Sequence, residues 1–218
     1  GLVKSGVNKF YVSIHSHKAE LEDYLTSVEG SFKEKVAGLK NLKELQKQGA
    51  IPGRIYLNTV INKLNYRHLE QVVRYFSKLG FSDFRFDFIR PEGRALAKSA
   101  ELVPKYSQVM KYLGRVAALC RRLKKDVTFG AIPPCLFQRY NIKVAPTSLG
   151  DINDRGTESC LGEDDVMKRF VVNEKRKDEY KVKSQSCKNC LFDCVCEGVW
   201  KHYARLYGLK ELAPVKAF

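Results

Sequence analysis

Residues 54–89 read RIYLNTVINKLNYRHLEQVVRYFSKLGFSDFRFDFI. The middle of this stretch carries apolar residues at the spacing of a helix: Leu69, Val72, Val73, Phe76 and Leu79. Asn65 is a candidate cap at the start of that helix, and Gly80 stands where a left-handed residue ends one. The flanking segments, about Arg54 to Ile61 and within Phe81–Ile89, are predicted strands. Two strands joined by such a helix lie parallel in one sheet, because parallel neighbours need a crossover connection.

The same alternation continues on both sides of this unit. Upstream, residues Phe10 to His15 alternate as a strand does, and Ser31 to Glu34 fit the capping box that opens a helix. Downstream, a third helix begins near Pro104, and a fourth strand runs from Val127 to Ala131. The sequence therefore predicts an α/β fold with a parallel sheet covered by helices.

Residues 1–6, GLVKSG, resemble the last turn of a helix and the glycine that ends it. No strand precedes this turn. We therefore expect the chain to supply only the later strands of a larger (β/α) barrel of the TIM type, with further strands upstream.

Composition and charge narrow the class of protein. The chain has 218 residues, 44% of them hydrophobic, which is enough for one core with or without a small appendage. It has neither an apolar run of about 18 residues nor a charged and then apolar leader, so no membrane span is predicted and the expected compartment is the cytoplasm. The net charge of +15 would suit RNA, but the basic residues are spread over several predicted faces, which favours ordinary solvated surfaces.

The cysteines point to a bound metal centre. There are seven of them: Cys120, Cys135, Cys160, Cys187, Cys190, Cys194 and Cys196. The number is odd and four of them crowd into one short segment, whereas the disulfides of small secreted proteins use an even number spread more widely. In a reducing cytosol, clustered thiols favour ligation of a metal ion or an iron–sulfur cluster.

The spacing within the segment CKNCLFDCVC suggests which thiols act together. The two-residue gap between Cys187 and Cys190 lets both hold one centre from a tight turn, and Cys196 can return as a third ligand. Cys135, which follows a predicted strand and a Pro-Pro pair, is the preferred fourth ligand. Cys194 is the alternative fourth ligand, although its one-residue gap to Cys196 is cramped. Four thiolates could hold an iron–sulfur cluster or zinc, and the ligands alone do not choose between them.

The remaining segments carry less information. Cys120 falls on the apolar stripe of the third helix and is predicted to be a core residue, while Cys160 is either a loop thiol or an alternate ligand. Residues 136–186 are polar and rich in turns, with a short strand predicted around Phe170–Val172 and a return to Val182. A final helix is predicted to carry Val199, Trp200, Tyr203, Leu206 and Tyr207 and to stop at Gly208.

Several short segments form an ordered series along the chain. They are YVSIHS at residues 11–16, GSF at 30–32 before a helix, NTVIN at 58–62, RPEGRA at 90–95, Pro-Cys at 134–135, C-x2-C-x5-C-x-G from Cys187 to Gly198, and the tail residues Tyr203, Gly208, Glu211 and Pro214. In this order and spacing the chain resembles the later part of a radical S-adenosylmethionine (radical SAM) enzyme with a SPASM or twitch auxiliary domain. The resemblance covers nearly the whole chain.

The resemblance implies a fold and a set of cofactor contacts. Residues 1–134 would form a partial radical SAM (β/α) barrel, and residues 135–218 an auxiliary iron–sulfur domain. The auxiliary 4Fe–4S cluster would be held by Cys135, Cys187, Cys190 and Cys196. Ser13, Asn62 and Arg90, near the ends of predicted strands, would contact S-adenosylmethionine. Ser13 could instead be an ordinary strand hydroxyl, and Arg90 could merely flank its turn.

One part of the radical SAM pattern is absent from the sequence. No cysteine precedes Cys120, so residues 1–218 lack the C-x3-C-x2-C loop that binds the catalytic 4Fe–4S cluster in these enzymes. We expect that loop in an upstream segment, and we expect the chain alone to be inactive. No catalytic residue is predicted.

The predicted activity follows from the resemblance. The whole enzyme would reductively cleave S-adenosylmethionine to a 5′-deoxyadenosyl radical, which removes a hydrogen atom from a substrate, with a peptide or protein as the first expectation. The electron would come from a donor such as ferredoxin or flavodoxin. The alternative hypothesis is a non-catalytic four-cysteine zinc module on an α/β scaffold that binds RNA through its basic faces.

Overall fold

The computed structural model describes residues 1–145, 148–149, 157–161, 167–171 and 179–216. The chain divides into two compact units. The first unit comprises residues 1–89 and 111–128, and the second comprises residues 90–110 and 129–218. The sequence predicted a different division, between a barrel part that ends at residue 134 and an auxiliary domain that begins at residue 135. That division stays a prediction.

Helices and strands alternate over the first 130 residues. The described helices are α1 (Ala19–Thr26), α2 (Ser31–Lys47), α3 (Leu69–Lys78), α4 (Arg94–Ala97), α5 (Ser99–Leu102), α6 (Tyr106–Arg122), α7 (Pro134–Arg139) and α8 (Lys201–Tyr207), with 3-10 turns at Tyr66–His68 and Gln185–Asn189. The described strands are β1 (Phe10–Ser13), β2 (Ile55–Ile61), β3 (Asp83–Phe88), β4 (Asp126–Gly130), β5 (Thr157–Leu161), β6 (Met167–Val171), β7 (Lys181–Val182) and β8 (Val199–Trp200).

Strands β1 to β4 form one sheet in the order β1-β2-β3-β4. β1 pairs with β2, and β2 with β3, in parallel. The predicted α/β fold with a parallel sheet is therefore confirmed. The strand order follows the chain without reversal. Closure into a TIM barrel and a separate C-terminal cluster domain stay predictions.

The two faces of this sheet differ in burial. Leu57 of β2 and Phe84 of β3 are paired in register and lie on a buried face, with only 1% and 2% of their surfaces exposed. The alternate positions, such as Tyr56 and Asp83, are half-buried and polar at their tips. Since side chains alternate between the faces of a strand, one face supplies the apolar core and the other is available to a polar ligand.

Helix α2 begins as predicted, but a different residue caps it. Ser31 is already the first helical residue and makes no capping hydrogen bond through its side chain. The carboxylate of Asp23 does so instead, accepting hydrogen bonds of 2.8 Å from the backbone N–H groups of Gly30 and Phe32. The capping-box assignment was therefore wrong, because the acceptor comes from the preceding helix, which the sequence pattern did not reveal.

Asn65 likewise does not cap α3, which begins after the 3-10 turn. Its side-chain oxygen accepts a 2.8 Å hydrogen bond from the Asn62 N–H, and its amide donates to the carbonyl oxygens of His15 at 3.0 Å and Val60 at 2.8 Å. Asn65 is fully buried. It therefore ties the chain after β1 to the end of β2.

The second unit contains two small antiparallel pairs among its described residues. β5 pairs with β6, which covers most of the strand predicted around Phe170–Val172. β7 ends at Val182 as predicted, but it pairs with β8. Val199 and Trp200 were assigned to the final helix from their spacing. They form β8 instead, because their backbone groups pair with Lys181 and Val182, and the helix starts at Lys201.

The turn at residues 1–6 has the predicted glycine ending. Val7 N–H donates to Leu2 O at 3.1 Å, and Gly6 N–H donates to Val3 O at 3.0 Å. Gly6 has a φ of +88°. This is the hydrogen-bond pattern that closes a helix with a left-handed glycine.

Candidate functional site

The four predicted ligand cysteines border one pocket of the second unit. The pocket has about 310 Å³ of empty space, which includes space open to solvent, and its lining includes Cys135, Cys187, Cys190 and Cys196. Cys135 is 7% exposed, and the other three are partly buried. The structure therefore brings together thiols that lie far apart in sequence.

Local hydrogen bonds fix the three downstream cysteines. Cys187 lies in the 3-10 turn, and the N–H of Cys190 donates to its carbonyl oxygen at 2.9 Å. The N–H of Cys196 donates to the carbonyl oxygen of Phe192 at 2.7 Å, closing the intervening turn. These short turns allow three sulfur atoms from ten consecutive residues to border the same space.

Cys135 reaches the pocket from a short helix. It was predicted to follow a strand directly, but it is the second residue of α7, whose first residue is Pro134. Proline suits the first turn of a helix, because its missing N–H would have no partner there. The Pro-Pro pair therefore starts a helix instead of merely fixing the approach of the strand.

Three of the four sulfur atoms have a hydrogen-bond partner. The N–H groups of Gly198 and Val215 donate to the sulfur atoms of Cys196 and Cys190, both at 3.3 Å. The Ser184 hydroxyl lies 3.2 Å from the sulfur of Cys187. The Ala213 backbone acts on the fourth thiol, because it lowers the pKa of Cys135, although less than burial raises it. Such bonds favour thiolate ligands, because they stabilise negative charge on sulfur.

Burial favours the protonated form of two of these thiols, Cys135 and Cys196. It raises the pKa of Cys196 to about 11, against the hydrogen bond from Gly198. Burial also raises the pKa of Cys135, and the neighbouring thiols Cys187 and Cys190 raise it further. A nearby positive centre would therefore favour the thiolate forms of Cys135 and Cys196.

Two lysines supply positive charge around the cysteines. Lys183, which lines the pocket, forms an ion pair with the Asp193 carboxylate and donates to the Asp193 carbonyl oxygen at 2.9 Å. Lys181 is buried and lies 2.6 Å from the carboxylate of Glu197. Both lysines lower the pKa of Cys196, although less than burial raises it.

The backbone around Gly198 leaves room for glycine only. Its φ is +82°, and an added Cβ would lie 2.3 Å from the carbonyl oxygen of Val182. Only glycine allows the backbone to pass this close to β7 while its N–H donates to Cys196. This accounts for the C-x-G pattern at residues 196–198.

Four thiolates can hold either a single zinc ion or a 4Fe–4S cluster. Within the described part of the chain, no group of three or more His, Cys, Asp or Glu side chains is arranged to hold one metal ion. A tetrahedral zinc site with Zn–S bonds of about 2.3 Å would bring the sulfur atoms within about 4 Å of one another. A 4Fe–4S cluster would be ligated by one thiolate at each of its corners.

The other cysteines lie outside this lining set. Cys120 is fully buried in α6, which confirms that it is a core residue, and burial raises its pKa to about 12. Cys194 is exposed and does not line the pocket. Cys160 belongs to β5, and its side chain lies outside the described part.

Two of the predicted S-adenosylmethionine contacts belong to the first unit. Ser13 is the last residue of β1 and is exposed. Asn62 follows β2 and is 5% exposed, and its side-chain oxygen accepts hydrogen bonds from the N–H groups of Leu64 at 2.9 Å and Asn65 at 3.2 Å. In this conformation Asn62 organises the turn after β2, and its contact with a ligand stays a prediction.

Arg90 belongs to the second unit and lies between two aromatic rings. Its guanidinium carbon is 4.3 Å from the ring centre of Tyr180 and 5.1 Å from that of Trp200. It also forms an ion pair with Glu92. Arg90 thus pairs with a carboxylate two residues away, its contact with S-adenosylmethionine stays a prediction, and the cation–π contacts were not predicted.

The sheet of the first unit carries a row of polar residues that was not predicted from the sequence. Ser13, Asn58 and Arg85 are paired in register across β1, β2 and β3. The side-chain oxygen of Asn58 is buried without a hydrogen-bond partner among the described residues. The Nε of Arg85 donates to both carboxylate oxygens of Asp87 at 2.9 Å. The alternation of polar residues along β3 was the signal that could have identified this row.

Glu22 is a buried residue of the first unit that was not predicted from the sequence to be important. Its buried carboxylate accepts hydrogen bonds from the backbone N–H groups of His15 at 2.6 Å and Ser16 at 2.8 Å, and lies 2.6 Å from the Lys35 ammonium. The Nδ1 of His15 accepts a 3.2 Å hydrogen bond from Val60 N–H, and burial lowers the pKa of His15. Glu22 thereby shapes the loop at the C-terminal end of β1.

Comparisons with known proteins support the fold. No protein-family profile and no curated protein sequence matches the chain. Among solved structures, the fold matches Streptococcus suis SuiB bound to S-adenosylmethionine, with a TM-score of 0.50 and 14% identity over 96% of this chain and 53% of SuiB. SuiB bound to its precursor peptide SuiA matches with the same TM-score and identity, over 94% of this chain and 52% of SuiB.

A third SuiB structure gives the same TM-score and identity over 96% of this chain and 54% of that one. The chain therefore spans about half the length of the proteins it matches. At this identity the likeness concerns the fold alone. The likeness agrees with the α/β fold expected from the sequence. No helix among the described residues is long and apolar enough to cross a membrane.

Proposed function

We propose that this chain is the later part of a radical SAM enzyme and that its second unit holds an auxiliary 4Fe–4S cluster. The observation that carries the proposal is the lining of one pocket by Cys135, Cys187, Cys190 and Cys196, with a hydrogen-bond partner for three of the four sulfur atoms. A cluster in this pocket would accept or donate single electrons, or would anchor the substrate. The protein residues would keep it ligated and limit its contact with water.

We propose S-adenosylmethionine as the second cofactor. The solved structure of SuiB with S-adenosylmethionine supports this, because the likeness in fold covers 96% of this chain. Ser13, Asn62 and Arg90 remain the proposed contacts, and the loops after the parallel strands are where barrel enzymes of this kind place their ligands. One electron would cleave S-adenosylmethionine to methionine and a 5′-deoxyadenosyl radical, which then removes a hydrogen atom from the substrate. That step needs a second cluster, whose C-x3-C-x2-C ligands are not among residues 1–218.

We propose a peptide or protein as the substrate, with a ferredoxin or flavodoxin as the electron donor. The structure of SuiB with its precursor peptide SuiA supports the first of these. The polar face of the sheet, with the unpaired buried oxygen of Asn58 and the charged pair Arg85 and Asp87, offers hydrogen-bonding groups to such a substrate. Their role would be to orient the substrate while the cofactors carry out the chemistry.

The test is to reconstitute the chain with iron and sulfide without oxygen and to analyse its metal content. We expect about four iron atoms and four sulfides per chain, as for a cysteine-ligated 4Fe–4S cluster. The protein should be brown and absorb at about 400 nm. A colourless protein with one zinc per chain would contradict it and favour the zinc module. Cys194→Ala serves as the matched control, and it should load as much iron as the unchanged chain.

A further inference from the structure

The last described residues of the chain, 211–216, run along the cysteine pocket. We call this segment the C-terminal strap. Leu212 and Pro214 are part of the pocket lining, and Leu212 is 9% exposed. Val215 makes two backbone hydrogen bonds with adjacent residues: its N–H donates to the sulfur of Cys190 at 3.3 Å, and its carbonyl oxygen accepts from the N–H of Leu191 at 2.8 Å. The strap is therefore fastened to the turn that carries Cys190.

The same segment also contacts the upstream cysteine. The Ala213 backbone lowers the pKa of Cys135, two residues before Val215 bonds to Cys190. Residues at alternate positions of an extended chain direct their backbone groups to the same side. Pro214, between them, has no N–H that would need a partner on the opposite side. Two cysteines that are distant in sequence thus both lie against one short segment.

The strap is anchored where it begins. The Glu211 carboxylate accepts hydrogen bonds from the N–H groups of Tyr106 at 3.2 Å and Ser107 at 2.9 Å, and from the Tyr203 hydroxyl. The Glu211 carbonyl oxygen accepts a 3.0 Å hydrogen bond from Arg139, the last residue of the helix that carries Cys135. These bonds hold one end of the strap to α6, α7 and α8, while Val215 holds the other end.

We propose that the C-terminal strap holds Cys135 and Cys190 in position as ligands and raises the reduction potential of the cluster they bind. The inference rests on the proposed cluster. A reduced cluster carries one more negative charge than an oxidised one, so N–H donors to its sulfur atoms stabilise the reduced form and raise the potential. Leu212 and Pro214 add an apolar cover, which limits the contact of the sulfur atoms with water.

Removal of a single N–H tests this role. Val215→Pro deletes the donor to Cys190, whereas Val215→Ala changes the side chain and keeps the donor. The measurement is a redox titration of the reconstituted chain, followed by its absorbance and electron paramagnetic resonance spectra. Val215→Pro should lower the equilibrium constant for reduction about tenfold relative to Val215→Ala, which is about 59 mV for a one-electron couple. Failure of Val215→Pro to retain iron while Val215→Ala loads fully would also support the strap as a holder of ligands.

A second variant addresses the anchor without touching any sulfur contact. Glu211→Ala removes the bonds at the start of the strap, and Lys210→Ala, at an exposed neighbouring position, is its matched control. Loss of iron to a chelator should be several-fold faster in Glu211→Ala than in Lys210→Ala. Equal potentials in the two Val215 variants would contradict the proposed role of the strap, as would equal rates of iron loss in Glu211→Ala and Lys210→Ala. Neither result would contradict the proposed cluster. An unchanged chain that binds no cluster would instead overturn the proposed function itself.

Discussion

The sheet of the first unit and the cysteine pocket of the second are stabilised by different interactions. In the sheet, large apolar side chains such as Leu57, Phe84 and Phe86 are almost completely buried and pack in register. Around the pocket, the secondary structure elements are short: α7 has six residues, α8 has seven, and β7 and β8 have two each. Helices this short are not stable by themselves.

The comparison implies that the two regions depend on different sources of free energy. The sheet gains stability from apolar burial, at about 25 cal/mol for each Å² removed from water. The pocket region instead places polar backbone groups, lysines and thiols close together. We expect these groups to stabilise the folded state only when a bound centre uses the sulfur atoms. We therefore expect the pocket region to respond to loss of a ligand, and the sheet to respond to loss of packing.

The largest expected effect is that of removing a ligand. Cys187→Ala should abolish iron binding and destabilise the second unit by on the order of several kcal/mol, because ligation energy is folding energy in small metal-binding regions. Trp200 is the only tryptophan of the chain and belongs to the second unit, so its fluorescence reports unfolding there. Thermal unfolding of the reconstituted protein followed at this residue, together with iron analysis, measures both effects.

Cys194→Ala is the control for this experiment, because Cys194 is exposed and does not line the pocket. Its iron content and fluorescence transition should match those of the unchanged chain. If Cys194→Ala loses the cluster and Cys135→Ala keeps it, the centre is confined to the downstream loop, and Cys135 is not a ligand.

The next effect comes from the glycine beside Cys196. Gly198→Ala places a Cβ 2.3 Å from the Val182 carbonyl oxygen at a φ of +82°, so strain and overlap add. We expect it to destabilise the second unit by about 3 kcal/mol. Gly208→Ala is the matched control: its φ is +71°, but an added Cβ would meet nothing within 4 Å. With a ψ of −165°, this conformation also suits glycine alone, so the variant should cost only the backbone strain, about 2 kcal/mol.

Urea unfolding followed by Trp200 fluorescence compares the two glycine variants. A Gly198→Ala variant no less stable than Gly208→Ala would mean that β7 moves away at little cost. The close approach of the backbone would then not be what fixes the N–H donor to Cys196.

The two regions also differ in how far their structure could be predicted from sequence. The strands of the sheet followed from alternating residues, and α3 followed from its apolar spacing, because each pattern matches a period of the backbone. The pocket cysteines were selected by ligand spacing and by the family resemblance, and they do border one pocket. The strand Val199–Trp200 was missed because two residues are too few to show a period. The caps by Asp23 and Glu211 were missed because acceptors from outside a helix leave no local signature.

A smaller effect is expected in the first unit, at its buried carboxylate. Glu22→Gln removes the charge that pairs with Lys35 and that accepts hydrogen bonds from the backbone N–H groups of His15 and Ser16. Since Glu22 is fully buried, we expect a loss of about 2 kcal/mol. Glu20→Gln, at an exposed position of the same helix, is the control and should change stability by less than about 0.5 kcal/mol. Urea unfolding followed by far-ultraviolet circular dichroism gives both values, and equal values would show that Glu22 is not needed to order the loop.

The smallest effect concerns the core cysteine of the first unit and depends on pH. Burial raises the pKa of Cys120 from its ordinary value of 9.0 to about 12. Above pH 9 the unfolded chain therefore loses this proton while the folded chain keeps it, so the stability contributed by Cys120 falls as pH rises. At pH 8, Cys120→Ala should be about 1 kcal/mol less stable than the unchanged chain, because a small buried side chain is truncated. At pH 10 the unchanged chain should have lost about 1 kcal/mol through ionisation of the unfolded thiol, and the variant nothing, so the gap should close. Urea unfolding of both proteins at the two pH values, followed by circular dichroism, measures this gap. A gap that stays constant would mean that the Cys120 thiol ionises equally in both states, which would contradict its burial in α6.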